Sequence, residues 1–230
     1  VTFDLPSNAE RAINDPLAFL ESFRGTVILD EIQYAPALLR FVKYVVDLEP
    51  RRRGRFLLTG SQKFPMMDEV GESLAGRAGI LELHTLSYAE MAKAKNLNPI
   101  QYGLRGGFPA LQNQWVGSTE SFFSSYLATY LERDVRSGAG IENLAAYERF
   151  LRVAAARSGQ LANYTDMGHD VGVSPTTISN WLSYTIAANH ALVLNSFHEN
   201  FTKRLVKAPK VYFWDPGLAA YLLDISSAKQ

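Results

Sequence analysis

VILDEIQ, residues 27–33, decides how this chain of 230 residues is to be read. Val27, Ile28 and Leu29 form a continuous apolar run of the kind that fills a buried strand of a parallel sheet. The run ends abruptly in two adjacent carboxylates, Asp30 and Glu31. Open α/β sheets bind their ligands at the carboxyl ends of their strands. A carboxylate at such a tip can hold Mg²⁺, directly or through water, and a neighbouring Glu can polarise an attacking water. Phosphoryl transfer needs both tasks done. The plainer alternative is a strand that simply reaches solvent.

A second apolar run, FLLTGSQ at 56–62, ends in the polar tip Thr59, Gly60, Ser61 and Gln62. If the two strands are neighbours, these hydroxyls and the amide lie beside Asp30 and Glu31 and could orient water against a γ-phosphate. A strand-to-turn transition at Gly60 and Ser61 is the alternative for this stretch taken alone. Together, the two tips favour a nucleotide-hydrolysis site.

Working outward, short β-type runs alternate with helical ones through the first hundred residues. Val1–Phe3 and GILELH (79–84) are further strand candidates, and Asp15-Pro16 opens a helix over LAFLESF. After Pro36, Leu39, Val42 and Val46 recur on one helical face. Ser87 and Glu90 form a capping box at the start of a short helix. This alternation predicts a parallel sheet flanked by helices. Beyond GGFP (106–109) the pattern turns helical, over 118–137 and 142–158, with Gly138 and Gly159 where C-terminal caps fall. A domain boundary is expected between about 105 and 118.

LANYTDMGHDVGVSPTTISNWL (161–182) reads as a helix-turn-helix. A first helix spans Tyr164–Val171, Gly172 makes the turn, Ser174 caps the next helix and Pro175 takes its first position. Ile178, Trp181 and Leu182 face a core, which leaves Ser174, Thr176, Thr177, Ser179 and Asn180 as a polar face able to meet phosphates or base edges. A hairpin from about Ala191 to Phe213 could serve as a wing, with Lys203, Arg204, Lys207 and Lys210 supplying charge. The second helix carries no Arg or Lys in its polar face, so direct base readout is weak, and a protein-binding or structural winged helix is the alternative.

The ordered series VILDEIQYAP, FLLTGSQ, SLAGRAGILELHTLSYAEM, GGFP, YLERDV, FLRVAAARSGQLANYTDM, VSPTTISNWL and KRLVKAPKVYFWDPGLAAYLL covers nearly the whole chain. It resembles a large bacterial and archaeal family of AAA-type P-loop ATPases, in which the ATPase precedes a helix-turn-helix and a degenerate nuclease-like module. The resemblance implies ATP and Mg²⁺ as cofactors. It makes Asp30 the Walker B aspartate acting on Mg²⁺ and Glu31 the residue that activates water. Ser61, with Gln62, takes the sensor-1 position, and Thr59 joins Asp30 and Gln62 in cofactor binding. Arg77, in SLAGR, becomes the basic residue that reaches a phosphate in its own or a neighbouring subunit; a surface Arg is the alternative.

A P-loop ATPase also needs a glycine-rich loop with a lysine, and no Gly-Lys dipeptide occurs in the chain. The resemblance places that loop just upstream of Val1, so the chain is expected to be a fragment that does not hydrolyse ATP by itself. The strand order usual for such sheets, 5-1-4-3-2, would put the missing strand at the centre and leave two inner edges unpaired. The fold class expected is α/β: a parallel P-loop-type, AAA-like sheet, incomplete at the N-terminus, followed by a mainly helical winged-helix domain. The expected divisions are 1–110, an ATPase core; 111–205, the helical region with the helix-turn-helix; and 206–230, the start of a nuclease-like module.

Bulk properties narrow the function classes. Lys and Arg number 23 against 23 Asp and Glu, so no global charge drives the chain to nucleic acid or membrane. The absence of cysteine excludes disulfides and thiolate chemistry. No stretch approaches the roughly 18 apolar residues of a membrane span, and a cytoplasmic protein is expected. The histidines at 84, 169, 190 and 198 show no metal-ligand spacing and read as surface or packing residues. Glu132, Arg133 and Asp134 read as a solvated helical face or as an interdomain ion-pair network. Expected partners are a nucleotide, DNA or protein at the winged helix, and a second copy of the chain. The rival to a catalytic reading is a degenerate ATPase scaffold that only presents the helix-turn-helix.

Overall fold

The computed structural model describes residues 1–60, 73–95, 97–112, 117–136, 139–195, 197 and 208–227. The chain forms two compact units, Val1–Glu82 and Leu83–Gln230.

In the first unit, helix α1 (Pro6–Asn14) and α2 (Pro16–Glu21) precede strand β1 (Val27–Leu29). A 3₁₀ turn (Ile32–Tyr34) leads into α3 (Leu38–Leu48), which returns the chain to β2 (Phe56–Leu58). Strands β1 and β2 are parallel, in register Val27↔Phe56, Ile28↔Leu57 and Leu29↔Leu58. Val1–Phe3 lies on the other side of β1, where Asp30 N–H donates to the Val1 carbonyl and Phe3 N–H to the Asp30 carbonyl, both at 2.9 Å. Three parallel segments thus place Asp30 in the middle. Asp15 caps α2 through Ala18 N–H, and Pro16 occupies a first position whose missing N–H costs nothing. One sheet face carries Val27 and Leu29 into a core with Phe3, Phe19, Leu20, Ile32, Leu38, Leu39, Val42 and Val45. Full burial of each such side chain contributes about 1.5–3 kcal/mol. The helical face of α3 therefore runs through Val45, with Val46 only half-buried. Ile28 and Leu57 point to the opposite face and are each 51% exposed.

Gly79–His84, expected as a third strand, forms none. Leu81 and Leu83 are almost fully exposed. Both sheets among the described residues are two-stranded, so this β-type sequence has no ladder beside it to satisfy its backbone.

The second unit is mainly helical: α4 (Tyr88–Lys95), α5 (Pro99–Arg105), α6 (Pro109–Gln112), α7 (Thr119–Tyr130), α8 (Leu144–Ala156), α9 (Tyr164–Val171), α10 (Pro175–Ala187) and α11 (Pro216–Leu222). The capping box expected at α4 is present, with Glu90 Oε2 accepting from Ser87 N–H at 2.8 Å and from its hydroxyl at 2.7 Å. These bonds hold the Glu90 carboxyl below its ordinary pKa. Helix α7 runs on into a π-helical turn, Leu131–Arg136, which contains the Glu132-Arg133-Asp134 cluster. In that turn Arg133 pairs with Asp134 and Arg136 with Glu132, all on partly or fully exposed side chains. Strands β3 (Ala191–Leu194) and β4 (Lys210–Phe213) form an antiparallel ribbon. The core gathers Phe123, Tyr130, Tyr147, Phe150, Ile178, Trp181, Leu182 and Leu218.

Two sequence motifs 108 positions apart form one lock. The buried Asp215 carboxylate accepts from Gly107 N–H at 2.8 Å through Oδ2 and from Leu218 N–H at 3.0 Å through Oδ1, capping α11. Gly106 adopts φ 76° directly against it, and a Cβ on Gly217 would meet the Arg105 backbone at 2.5 Å. Phe108 then stacks edge-on against Phe123 and Tyr126. GGFP belongs to the second unit for this reason. The division between units accordingly falls at Glu82/Leu83, upstream of the 105–118 stretch expected from sequence.

Candidate nucleotide site

The carboxyl ends of β1 and β2 bring Asp30 and Thr59 together. Thr59 N–H donates to the Leu29 carbonyl and Ile32 N–H to the Thr59 carbonyl, each at 3.0 Å, which extends the ladder past both strands. The Thr59 hydroxyl then donates to Asp30 Oδ1. Asp30 and Glu31 are half-buried. Glu31 has φ 56° and ψ 47°, a left-handed conformation uncommon outside glycine. This kink swings the chain into the 3₁₀ turn, where Ile32 is fully buried and Tyr34 N–H donates to the Glu31 carbonyl at 3.1 Å. The Gln33 amide donates to Glu31 Oε2. Gln33 is a neighbour that the reading of VILDEIQ left without a role. Its i, i+2 spacing from Glu31 signals nothing until the kink folds one onto the other.

The donor set fits Mg²⁺, which keeps several waters and takes one or two carboxylates with phosphate oxygens supplying the rest. Asp30, oriented by Thr59, is such a carboxylate. No group of three or more His, Cys, Asp or Glu side chains able to hold a metal occurs among the described residues.

Two expected members, Ser61 and Gln62, lie outside the described residues. Arg77 is placed elsewhere. Its guanidinium grips Asp47 bidentately, Nε to Oδ1 at 2.6 Å and Nη2 to Oδ2 at 3.1 Å. The pairing raises the pKa of Arg77 and lowers that of Asp47. Asp47 sits near the C-terminus of α3, which runs from the carboxyl end of β1 back toward the start of β2. Nine residues of α3, about 14 Å at 1.5 Å per residue, separate Asp47 from Leu38 at the start of that helix.

In the second unit, α9, a left-handed Gly172 (φ 82°) and α10 reproduce the helix, turn and helix read from sequence. Ser174 Oγ accepts from Thr177 N–H and bonds the Thr177 hydroxyl at 2.8 Å, so both are engaged in the cap. Thr176 and Asn180 are exposed, Ser179 is half-buried, and its carbonyl accepts from Ser183. Lys210 is exposed at the start of β4, whereas Lys203, Arg204 and Lys207 lie outside the described residues.

Residues 1–92 match a family model described as an AAA domain, and residues 96–229 match one described as a domain of unknown function, DUF8612. The chain belongs to the DUF8612 family. Uncharacterised proteins of Mycobacterium tuberculosis and Mycobacterium bovis are each 30% identical to it over 227 residues, 97% of this chain and 50% of theirs. An uncharacterised Haemophilus influenzae protein is 24% identical over 179 residues, 74% of this chain and 43% of its own. The chain thus spans about half the length of the curated relatives it matches. No solved structure matches it. The AAA match fits the parallel β1–α3–β2 unit and suggests an ATPase-like scaffold. Among the described residues of this DUF8612 protein, no helix is long and apolar enough to cross a membrane.

The DUF8612 region also holds a buried titratable group, His190, which behaves as a packing residue. The Tyr126 hydroxyl and His190 Nε2 are 2.8 Å apart, and the Tyr130 ring lies 4.2 Å from the imidazole. The Tyr130, Tyr147 and Thr185 hydroxyls form a separate run of hydrogen bonds at 3.1 and 2.8 Å. Burial lowers the His190 pKa to about 4, against the opposite pull of Asp134 and the Ala188 carbonyl, and raises that of Tyr126 to about 12. The unfolded imidazole titrates near 6.5. Stability from a neutral His190 is therefore complete above that pH and falls by about 1.4 kcal/mol per unit down to about 4. The whole loss is on the order of 3 kcal/mol. Urea unfolding at pH 7 and pH 4.5 should show this slope in wild type and a much flatter one in His190→Gln. Equal slopes would refute the assignment.

Proposed function

We propose that this chain is the Walker B and sensor-1 portion of a Mg²⁺-dependent AAA-type ATPase that couples nucleotide state to a winged-helix module. The observation that carries the reading is the Thr59–Asp30 hydrogen bond across the tips of two parallel strands. It sets a carboxylate at the carboxyl ends of two parallel strands, the place where open α/β sheets bind ligands, with a second acid one residue on. Asp30 and Thr59 would hold the Mg²⁺, which neutralises charge on phosphate oxygens when bound. Glu31 takes a proton from the attacking water. Ser61 and Gln62 take the sensor-1 role that the family resemblance assigns them.

Arg77, paired with Asp47 at the far end of α3, is suited to a phosphate on a neighbouring subunit rather than its own. This makes a homo-oligomer part of the proposal. In the second unit, α9, α10 and the β3–β4 ribbon act as the winged helix, with exposed Thr176 and Asn180 and the caps Ser174 and Thr177 facing a protein partner or DNA phosphates. Residues 206–230 begin a nuclease-like module on this reading.

The same Arg77–Asp47 pair favours a second reading, a non-hydrolysing scaffold that presents the winged helix. Turnover decides between them. The full-length protein is expected to hydrolyse ATP with Mg²⁺ and to stop on chelation with EDTA. Absence of hydrolysis in Mg²⁺, with or without ATP binding, would refute the catalytic reading and select the scaffold.

A further inference from the structure

We infer that Gln33 is a positioning residue for Glu31, an inference that rests on the catalytic reading of the two acids. Adjacent carboxylates on an ordinary strand point to opposite faces. Here the left-handed Glu31 breaks the strand instead, and the backbone around it is fixed on three sides. The Ile32 N–H donates to the Thr59 carbonyl, Tyr34 N–H donates to the Glu31 carbonyl, and Ala35 N–H donates to the Ile32 carbonyl at 2.9 Å. Ile32, with no exposure, anchors the turn in the core. This left-handed conformation is uncommon for a Glu, and the surrounding hydrogen bonds hold it in place.

The turn gives the two acids different partners. Asp30 receives the Thr59 hydroxyl from the neighbouring strand, and Glu31 receives the Gln33 amide from its own turn. Both donors are neutral, so each fixes the direction of a carboxylate without adding a charge of its own. A lysine or arginine at position 33 would add a counter-ion beside a general base; an amide does not. Glu31 can move one side-chain torsion only by breaking the Gln33 bond. Gln33 thereby holds the carboxylate in one place relative to Asp30, and misplacing a catalytic group by about 1 Å costs on the order of a hundredfold in rate.

The test has two arms. In the full-length protein, Gln33→Ala is expected to lower kcat for MgATP by about ten- to a hundredfold, with KM and the thermal unfolding midpoint unchanged. In a Glu31→Gln background the same substitution should have no further effect, because the base it positions is gone. Gln33→Asn, one methylene shorter, should fall between. An unchanged or raised kcat, or an equal loss in both backgrounds, overturns the inference while leaving wild-type turnover and the catalytic reading intact. Absence of wild-type turnover refutes the catalytic reading itself. The second arm is free of turnover: in the full-length protein, the Gln33 side-chain amide resonances should shift on Glu31→Ala and stay on Asp30→Ala. Insensitivity to Glu31→Ala overturns the contact.

Discussion

Gly107→Ala is expected to destabilise the second unit by at least about 3 kcal/mol, among the larger effects a single methyl can have. A Cβ at that position would lie 2.0 Å from the Leu86 carbonyl oxygen and 2.9 Å from its carbonyl carbon and nitrogen. These are backbone atoms and have no rotamer by which to retreat. Moving the chain breaks bonds on both sides: Leu86 N–H donates to the Gly107 carbonyl, and Gly107 N–H donates to Asp215, each at 2.8 Å. Asp215 is 3% exposed, so an unpartnered donor there is not rescued by water. Asp215→Ala removes two hydrogen bonds to a charged group, each worth about 1.5–3 kcal/mol, and strips the cap from α11. Asp215→Asn is milder, keeping an acceptor for one N–H and turning a donor on the other. Urea unfolding should rank wild type, Asp215→Asn, then Asp215→Ala and Gly107→Ala. The double variant should lose less than the sum, because both changes break the same contact. A Gly107→Ala protein within about 1 kcal/mol of wild type would show that the close approach is not real.

That lock also marks the limit of what the sequence could disclose. The strands at Val27 and Phe56, the helix after Asp15-Pro16 and the helix, turn and helix from Tyr164 to Ala187 obey rules written within a few residues. The strands have their apolar runs, and the helices have their caps and their glycine or proline in the right place. GGFP and WDPG are individually conspicuous but carry no local sign that they touch, since a hydrogen bond between residues 107 and 215 has no period. GILELH shows the opposite failure. Its composition is β-type, yet a strand is defined by a partner, and none lies beside it among the described residues. At the candidate site, Asp30 and Thr59 were legible because two apolar runs ended in polar tips. The left-handed kink at Glu31 was not, because Glu gives no warning of positive φ. Nor was the capture of Arg77 by Asp47, which requires knowing that α3 carries Asp47 to the far end of the unit.

Asp30 and Glu31 are expected to fail differently, and the difference is the sharpest assay of their proposed roles. In the full-length protein, Glu31→Gln should bind MgATP about as tightly as wild type and lose about 10²–10⁴-fold in kcat, the usual share of a general base. The amide retains the size of the carboxylate and can keep a hydrogen bond with Gln33, so the turn over Ile32–Tyr34 should survive. Asp30→Ala should lose affinity for nucleotide in Mg²⁺ but not in EDTA, because its carboxylate serves the cation rather than the water. The Thr59 hydroxyl would also lose its partner, but at a half-exposed tip water can replace it at little cost in stability. Binding measured by calorimetry with and without Mg²⁺, beside single-turnover hydrolysis, separates the two. If Glu31→Gln weakened binding as much as Asp30→Ala, the acids would act as one electrostatic patch, and the left-handed kink that parts them would have no catalytic meaning.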